Sequence, residues 1–124
     1  MATKSFQELR VYKFSERLAD EIWKAVNTWE PFAKNTSGQQ IVRSADSVGA
    51  NIAEGVGRGS YQDNKRFVKI ARGSLSETLH WLRPAYTRNL LTLEQVNIFT
   101  AIINDLAAQF NSYLQSVGAY PKNH

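Results

Sequence analysis

Glu77 and His80 stand three residues apart, the spacing by which one helix gives two ligands to a carboxylate-bridged di-iron centre. Such a centre needs a second pair of this kind and two further glutamates, and the chain's other histidine is the terminal His124. The same scarcity argues against a histidine zinc site and a Ser-His-Asp triad. The absence of cysteine removes thiolate ligands, disulfides and cysteine nucleophiles. The run GVGRGS at 55–60 is a glycine-rich loop, but it follows a helical pattern rather than a strand and lacks the Lys-Ser/Thr ending of a phosphate-binding P-loop. The most it supports is a backbone anion site at the start of the next helix, with Arg58 beside it. The chain therefore reads as non-enzymatic, with no catalytic residue, no metal and no cofactor.

Charge points elsewhere. Net charge is +4, but residues 34–88 carry nine Lys/Arg against four Asp/Glu, so that half is +5 and the rest −1. Lys65, Lys69, Arg72 and Arg83 fall within a narrow arc of one helix, opposite its expected inner line of Phe67, Ala71, Ser74, Thr78, Leu82 and Ala85. Arg58 and Arg66 flank the stripe, and Arg43 lies upstream. A stripe of this kind is either a solvated face or a footprint for phosphates. No exposed aromatic ladder accompanies it, so base stacking and sequence readout are not indicated.

A second set is small or polar. Ser44, Ala45, Ser47, Gly49, Ala50, Ala53, Gly73 and Ser74 suit a close helix–helix approach, since glycine within a helix costs about 1 kcal/mol against alanine and needs a packing reason. Around that seam lie Ser47, Asn51, Glu54, Gly73, Ser74 and Glu77. The polar members serve either as a packing network or as a ligand site, with Asn51 or Glu54 reaching the next helix or capping the 55–59 loop.

Four helical patterns place these residues, at about 8–29, 37–56, 60–89 and 93–116, and no strand pattern is present. The first is striped by Val11, Phe14, Leu18, Ile22, Ala25 and Trp29 and ended by Pro31, with a short polar linker over 30–36. The second carries Ile41, Ala45, Val48, Ile52 and Val56 and ends in Gly55, Gly57 and Gly59. Ser60 is the N-cap of the third, with Asp63 in its first turn, and Pro84 predicts a kink or interruption near 80–84. Thr92 and Gln95 form a capping box for the fourth, striped by Val96, Phe99, Ile103, Leu106, Phe110 and Leu114. Short connections predict an all-α, antiparallel up-down-up-down four-helix bundle, one domain over 1–124. Tyr12, Ala19 and Trp23, with Ile98 and Ile102, lie off the main stripes, either as a wide core face or as a subunit interface. No run approaches the roughly 20 apolar residues that span a bilayer, and the N-terminus is polar, so no membrane contact and a cytoplasmic location are expected.

The string formed by Arg43-Ser44, Ser47-Val48, Asn51-Ile52-Ala53-Glu54-Gly55 and Gly57-Arg58 resembles the signature of the four-helix-bundle family named for proteins encoded in 23S rRNA intervening sequences. Ala71, Gly73, Ser74, Leu75 and Glu77 resemble its second block, and Phe6, Leu9, Val11 and Tyr12 its N-terminal pattern. The likeness covers the first three helices by motif and the fourth by pattern, and Pro84 departs from it. The resemblance implies assembly as a ring-shaped homopentamer. It also implies a relation to the accessory proteins of diversity-generating retroelements, basic barrels that bind nucleic acid and a reverse transcriptase. It brings no catalytic residues. The expected function is non-catalytic binding of RNA or DNA through Arg43, Arg58, Lys65, Arg66, Lys69, Arg72 and Arg83. The alternative is a protein-interaction scaffold or accessory subunit with a protein partner and no direct nucleic-acid contact.

Overall fold

The four apolar stripes become four long helices in a computed structural model that describes residues 6–118: α1 (Arg10–Val26), α2 (Gln39–Gly57), α3 (Tyr61–Thr87) and α4 (Leu93–Gly118). No strand occurs among the described residues. Each helix packs on the next in the chain and α4 closes back on α1, giving the expected four-helix bundle. Leu18, Ile22, Ile41, Val48, Ile52, Val68, Leu75, Leu82, Leu106 and Phe110 are fully buried along its axis. The inner line of α3 differs in part from the expected one. Val68 and Leu75 are buried, whereas Phe67 and Ser74 are half-buried on the flank of that line.

The first connection departs from the sequence expectation. α1 stops at Val26 rather than near Trp29, and the polar stretch at 30–36 is helical rather than a linker. Glu30 accepts from the amides of Ala33 at 2.7 Å and Phe32 at 3.0 Å, satisfying donors that a helix start leaves open. Pro31 then sits at N1, where its missing N–H costs nothing, so the residue that stops α1 also starts the lead-in to α2. A π-helical turn, Lys34–Gly38, joins this lead-in to α2. Trp29 folds back into the core.

Pro84 does not interrupt α3, which continues to Thr87. Proline removes one backbone donor, but Leu82 and Ala85 on either side of it are buried, and their packing holds the helix through that gap. The helix ends at Arg88 with Asn89 in the left-handed region at φ 60°. Leu90 N donates to Ala85 O at 2.8 Å and Asn89 N to Tyr86 O at 3.0 Å, the two bonds of a Schellman close. Both local start signals form. Ser60 Oγ accepts from Asp63 N at 3.1 Å, and Thr92 and Gln95 bond reciprocally at 3.1 and 2.9 Å.

The glycines divide by space. Of the three at the end of α2, Gly59 alone takes a positive φ, 82°. Gly55 is buried, and a Cβ there would stand 2.9 Å from Phe67 Cβ and 3.2 Å from the Asn64 carbonyl. It is a contact point between α2 and α3 rather than a cap. A Cβ on Gly73 would meet nothing within 4 Å, so the close approach expected at that position is absent within the chain. A Cβ on Gly49 would stand 3.5 Å from the Tyr12 ring rather than against another backbone.

Candidate nucleic-acid interface

Lys65, Lys69 and Arg83 are exposed on α3, and Arg72 is half-buried beside them. Three ion pairs occur among the described residues, Lys24–Glu21, Arg58–Glu54 and Arg66–Asp63, and none involves this stripe. Arg72 Nη1 instead donates to Asn111 Oδ1 of α4 at 3.2 Å, a neutral partner that orients the guanidinium and leaves its charge unbalanced. The stripe therefore lies on the α4 side of α3. Exposed Tyr61 and Tyr86 stand near its two ends, a pair of rings where none was expected.

The structure separates the other expected cations from that stripe. Arg58 pairs with Glu54 at 3.0 Å and Arg66 with Asp63 at 3.3 Å, and their guanidinium carbons lie 5.0 and 4.7 Å from the centre of the Phe67 ring. The ring's electron-rich face attracts both, so these arginines form a stacked cluster over the α2–α3 turn. The adjacency of Arg66 and Phe67 was the sequence signal for it. Arg43 is exposed on the solvent side of α2, away from the α3 stripe.

The polar seam is real but smaller than expected. Thr78 Oγ1, fully buried, lies 3.0 Å from Ser44 Oγ and 2.9 Å from Ser74 O, and Ser44 Oγ donates to Ile41 O at 3.0 Å. Ser74 Oγ bonds Ser47 Oγ at 3.0 Å, and Asn51 Nδ2 donates to Ser47 O and Oγ at 2.8 and 3.0 Å. This ladder satisfies its own groups within the packing of α2 on α3, which leaves little for a ligand. Glu54, Gly73 and Glu77 are exposed and outside it. Glu54 holds Arg58, and Glu77 Oε2 accepts from Trp81 Nε1 at 3.3 Å. Each carboxylate is a turn from its partner on its own helix, so neither is drawn into the seam.

On the opposite side of the bundle, α1 and α2 enclose a groove of about 410 Å³ whose walls include Tyr12, Glu16, Asp20, Asp46 and Ala50. Desolvation, with the Asp20 charge second, raises the Asp46 pKa. Desolvation followed by Glu16 raises that of Tyr12. The apolar residues set off the main stripes split here. Tyr12, Ala19 and Ile102 pack against the core, whereas Trp23 is 59% and Ile98 51% exposed. Among the described residues no group of His, Asp or Glu side chains gathers as a metal site, and no helix is long and apolar enough to cross a membrane.

With that geometry in place, the model of the 23S rRNA-intervening sequence protein family matches residues 7–112. The chain belongs to this family. The match reaches well into α4, so the fourth helix is part of the family likeness and not only similar in pattern. Among solved structures, the chain is similar to a protein of unknown function from the S23 ribosomal protein family of Bacteroides thetaiotaomicron VPI-5482. The two are 26% identical and superpose with a TM-score of 0.75 over 84% of this chain and 97% of that one. No functionally curated protein matches the chain. Several residues of the two blocks that resemble the family meet along the α2–α3 seam, where Ser47, Asn51 and Ser74 bond and Gly55 admits Phe67.

Proposed function

We propose that this member of the 23S rRNA-intervening sequence protein family is a non-catalytic nucleic-acid-binding protein, and that the α3 stripe holds phosphates. The supporting observation is the electrostatic state of that stripe. Lys65, Lys69, Arg72 and Arg83 are aligned on one helix face with no carboxylate partner among the described residues, and the three cations that do have one, Lys24, Arg58 and Arg66, lie off that face. Unbalanced cations aligned on one helix attract a polyanion chiefly through counterion release. RNA is the preferred ligand, and DNA shares the same backbone chemistry. The test is affinity against salt for a labelled RNA strand. Four phosphates held give a log–log slope of about −3 for a single strand. A flat dependence, or no binding at low salt, sinks the reading.

A second reading rests on Trp23 and Ile98, whose exposure leaves large apolar groups uncovered on the single chain. They support a subunit contact, and with it the ring-shaped homopentamer. Light scattering on the same samples is expected to give five times the 14.0 kDa chain mass. A monomer would refute the ring. The scaffold or accessory-subunit role, for example beside a reverse transcriptase, gains support if a bound protein survives nuclease and high salt.

A further inference from the structure

The Arg72–Asn111 bond draws attention to α4, which charge alone leaves blank. Asn111 belongs to a row: Asn104 and Asn97 precede it at intervals of seven residues, and all three are exposed. A seven-residue step returns a helix almost to the same face, so the row runs along the lip of α4 that meets α3. On α3 the same step links Lys65 and Arg72 to Leu79 and Tyr86, which are 40% and 44% exposed. The helices are antiparallel, so the end of the α3 lip with Lys65 and Arg72 faces Asn111, and the end with Leu79 and Tyr86, beside the stripe's remaining cation Arg83, faces Asn97.

No carboxylate intrudes on the middle of this face. Asp105 lines the grooves toward α1 with Phe14 and Arg17, and Glu77 sits with Trp81 on the flank that carries Ser74. Glu94 lies in the first turn of α4, at the end away from Lys65.

We infer that this α3–α4 face takes one nucleic-acid strand, with phosphates on Lys65, Lys69 and Arg72 and sugar and base edges on Asn97, Asn104 and Asn111. The inference rests on the nucleic-acid reading above and adds to it the form of the ligand. The two rows differ in chemistry, which decides between one strand and two. A duplex laid along the groove brings phosphates to both lips and calls for cations on both, whereas only α3 supplies them. Primary amides both donate and accept, which suits sugar hydroxyls and the mixed edges of unpaired bases. Packed helix axes lie about 8–10 Å apart, the scale of the reach from backbone to base edge within one nucleotide. Tyr86 and Leu79 add an apolar surface on which an unpaired base rests.

The test compares a labelled 20-nucleotide RNA strand with the same strand annealed to its complement, by anisotropy across a salt series. The unaltered protein is expected to favour the single strand. Asn97→Ala with Asn104→Ala is expected to weaken the single strand roughly tenfold and leave the salt slope unchanged, because amides release no counterions. Lys65→Gln with Lys69→Gln is expected to reduce the slope by about 1.4. Asn104→Asp, matched in size, places a carboxylate in the row and is expected to weaken binding further. All four positions are exposed, and circular dichroism with thermal melting verifies that each variant is folded. Unchanged single-strand binding by the asparagine variants, or tighter binding of the duplex, overturns the single-strand inference while the nucleic-acid reading stands. Failure of the unaltered protein to bind either form overturns both.

Discussion

Exchanging Lys69 and Arg72 together for glutamate is expected to reduce RNA affinity at moderate salt by roughly a hundredfold and to flatten the salt slope by about 1.4. Two phosphate contacts are lost, and two carboxylates now repel the strand that remains on Lys65 and Arg83. The bundle is expected to stay folded. Lys69 is exposed, and the bond from Arg72 to Asn111 is a contact between side chains at the surface rather than a core contact. Arg43→Glu is the control: a charge reversal half the size of the double variant's, on the solvent side of α2, is expected to alter affinity less than about threefold, through long-range screening alone. Equal losses from both variants would mean that net charge, not this stripe, governs binding. An unchanged affinity in the double variant would remove α3 from the interface.

The second large effect concerns stability and has opposite signs at two glycines of neighbouring helices. Gly55→Ala is expected to cost about 2 kcal/mol. The new methyl would stand 2.9 Å from Phe67 Cβ and 3.2 Å from the Asn64 carbonyl, and neither is the free end of a side chain that can swing away. The overpacking exceeds the gain of about 1 kcal/mol that alanine brings to a helix interior. Gly73→Ala collects that gain without the penalty, since nothing lies within 4 Å of the added carbon, and is expected to stabilise the single chain by about 1 kcal/mol. Urea unfolding of both variants measures the difference. A destabilised Gly73→Ala would mean that a second molecule approaches α3 there in solution, and light scattering on that variant would then show an altered mass.

Most of the fold could be read in the sequence because its signals are local. Ser60 with Asp63 and Thr92 with Gln95 are start signals complete within four residues, and both form as read. The stripes of α1, α2 and α4 are each dense enough that period alone identifies them. Of the two outcomes expected at Pro84, the interruption does not occur, because a residue preference describes an isolated helix and the burial of Leu82 and Ala85 holds this one continuous. The lead-in at 30–36 was misjudged because Pro31 was taken as a stop, when the Glu30 carboxylate makes it equally a start. The candidate site was less legible. Charge counting found Lys65, Lys69, Arg72 and Arg83, but it grouped Arg58 and Arg66 with them because pairing to Glu54 and Asp63 appears only in three dimensions. The asparagine row of α4 was visible as a seven-residue repeat, yet neutral amides leave no trace in a charge tally. Gly73 and Gly55 are alike in sequence, and only the neighbours of each separate a crowded position from an open one.

Each long helix of this bundle packs on the long helix that follows it in the chain, and among the described residues α4 also packs back on α1, joining the two distant ends of the bundle. The α2–α3 and α3–α4 pairs close only short loops and the α1–α2 connection is largely helical, so the entropy lost in bringing sequential partners together is small. Contacts of this local kind favour fast folding, in the microsecond-to-millisecond range typical of helical bundles. The slowest association is then the docking of α4 on α1, and until it occurs Leu18, Ile22, Leu106 and Phe110 lack their full cover. An interval of that kind in a nascent chain is brief, and it is confined to one seam of the molecule, the one farthest from the α2–α3 contact that carries the family's motifs.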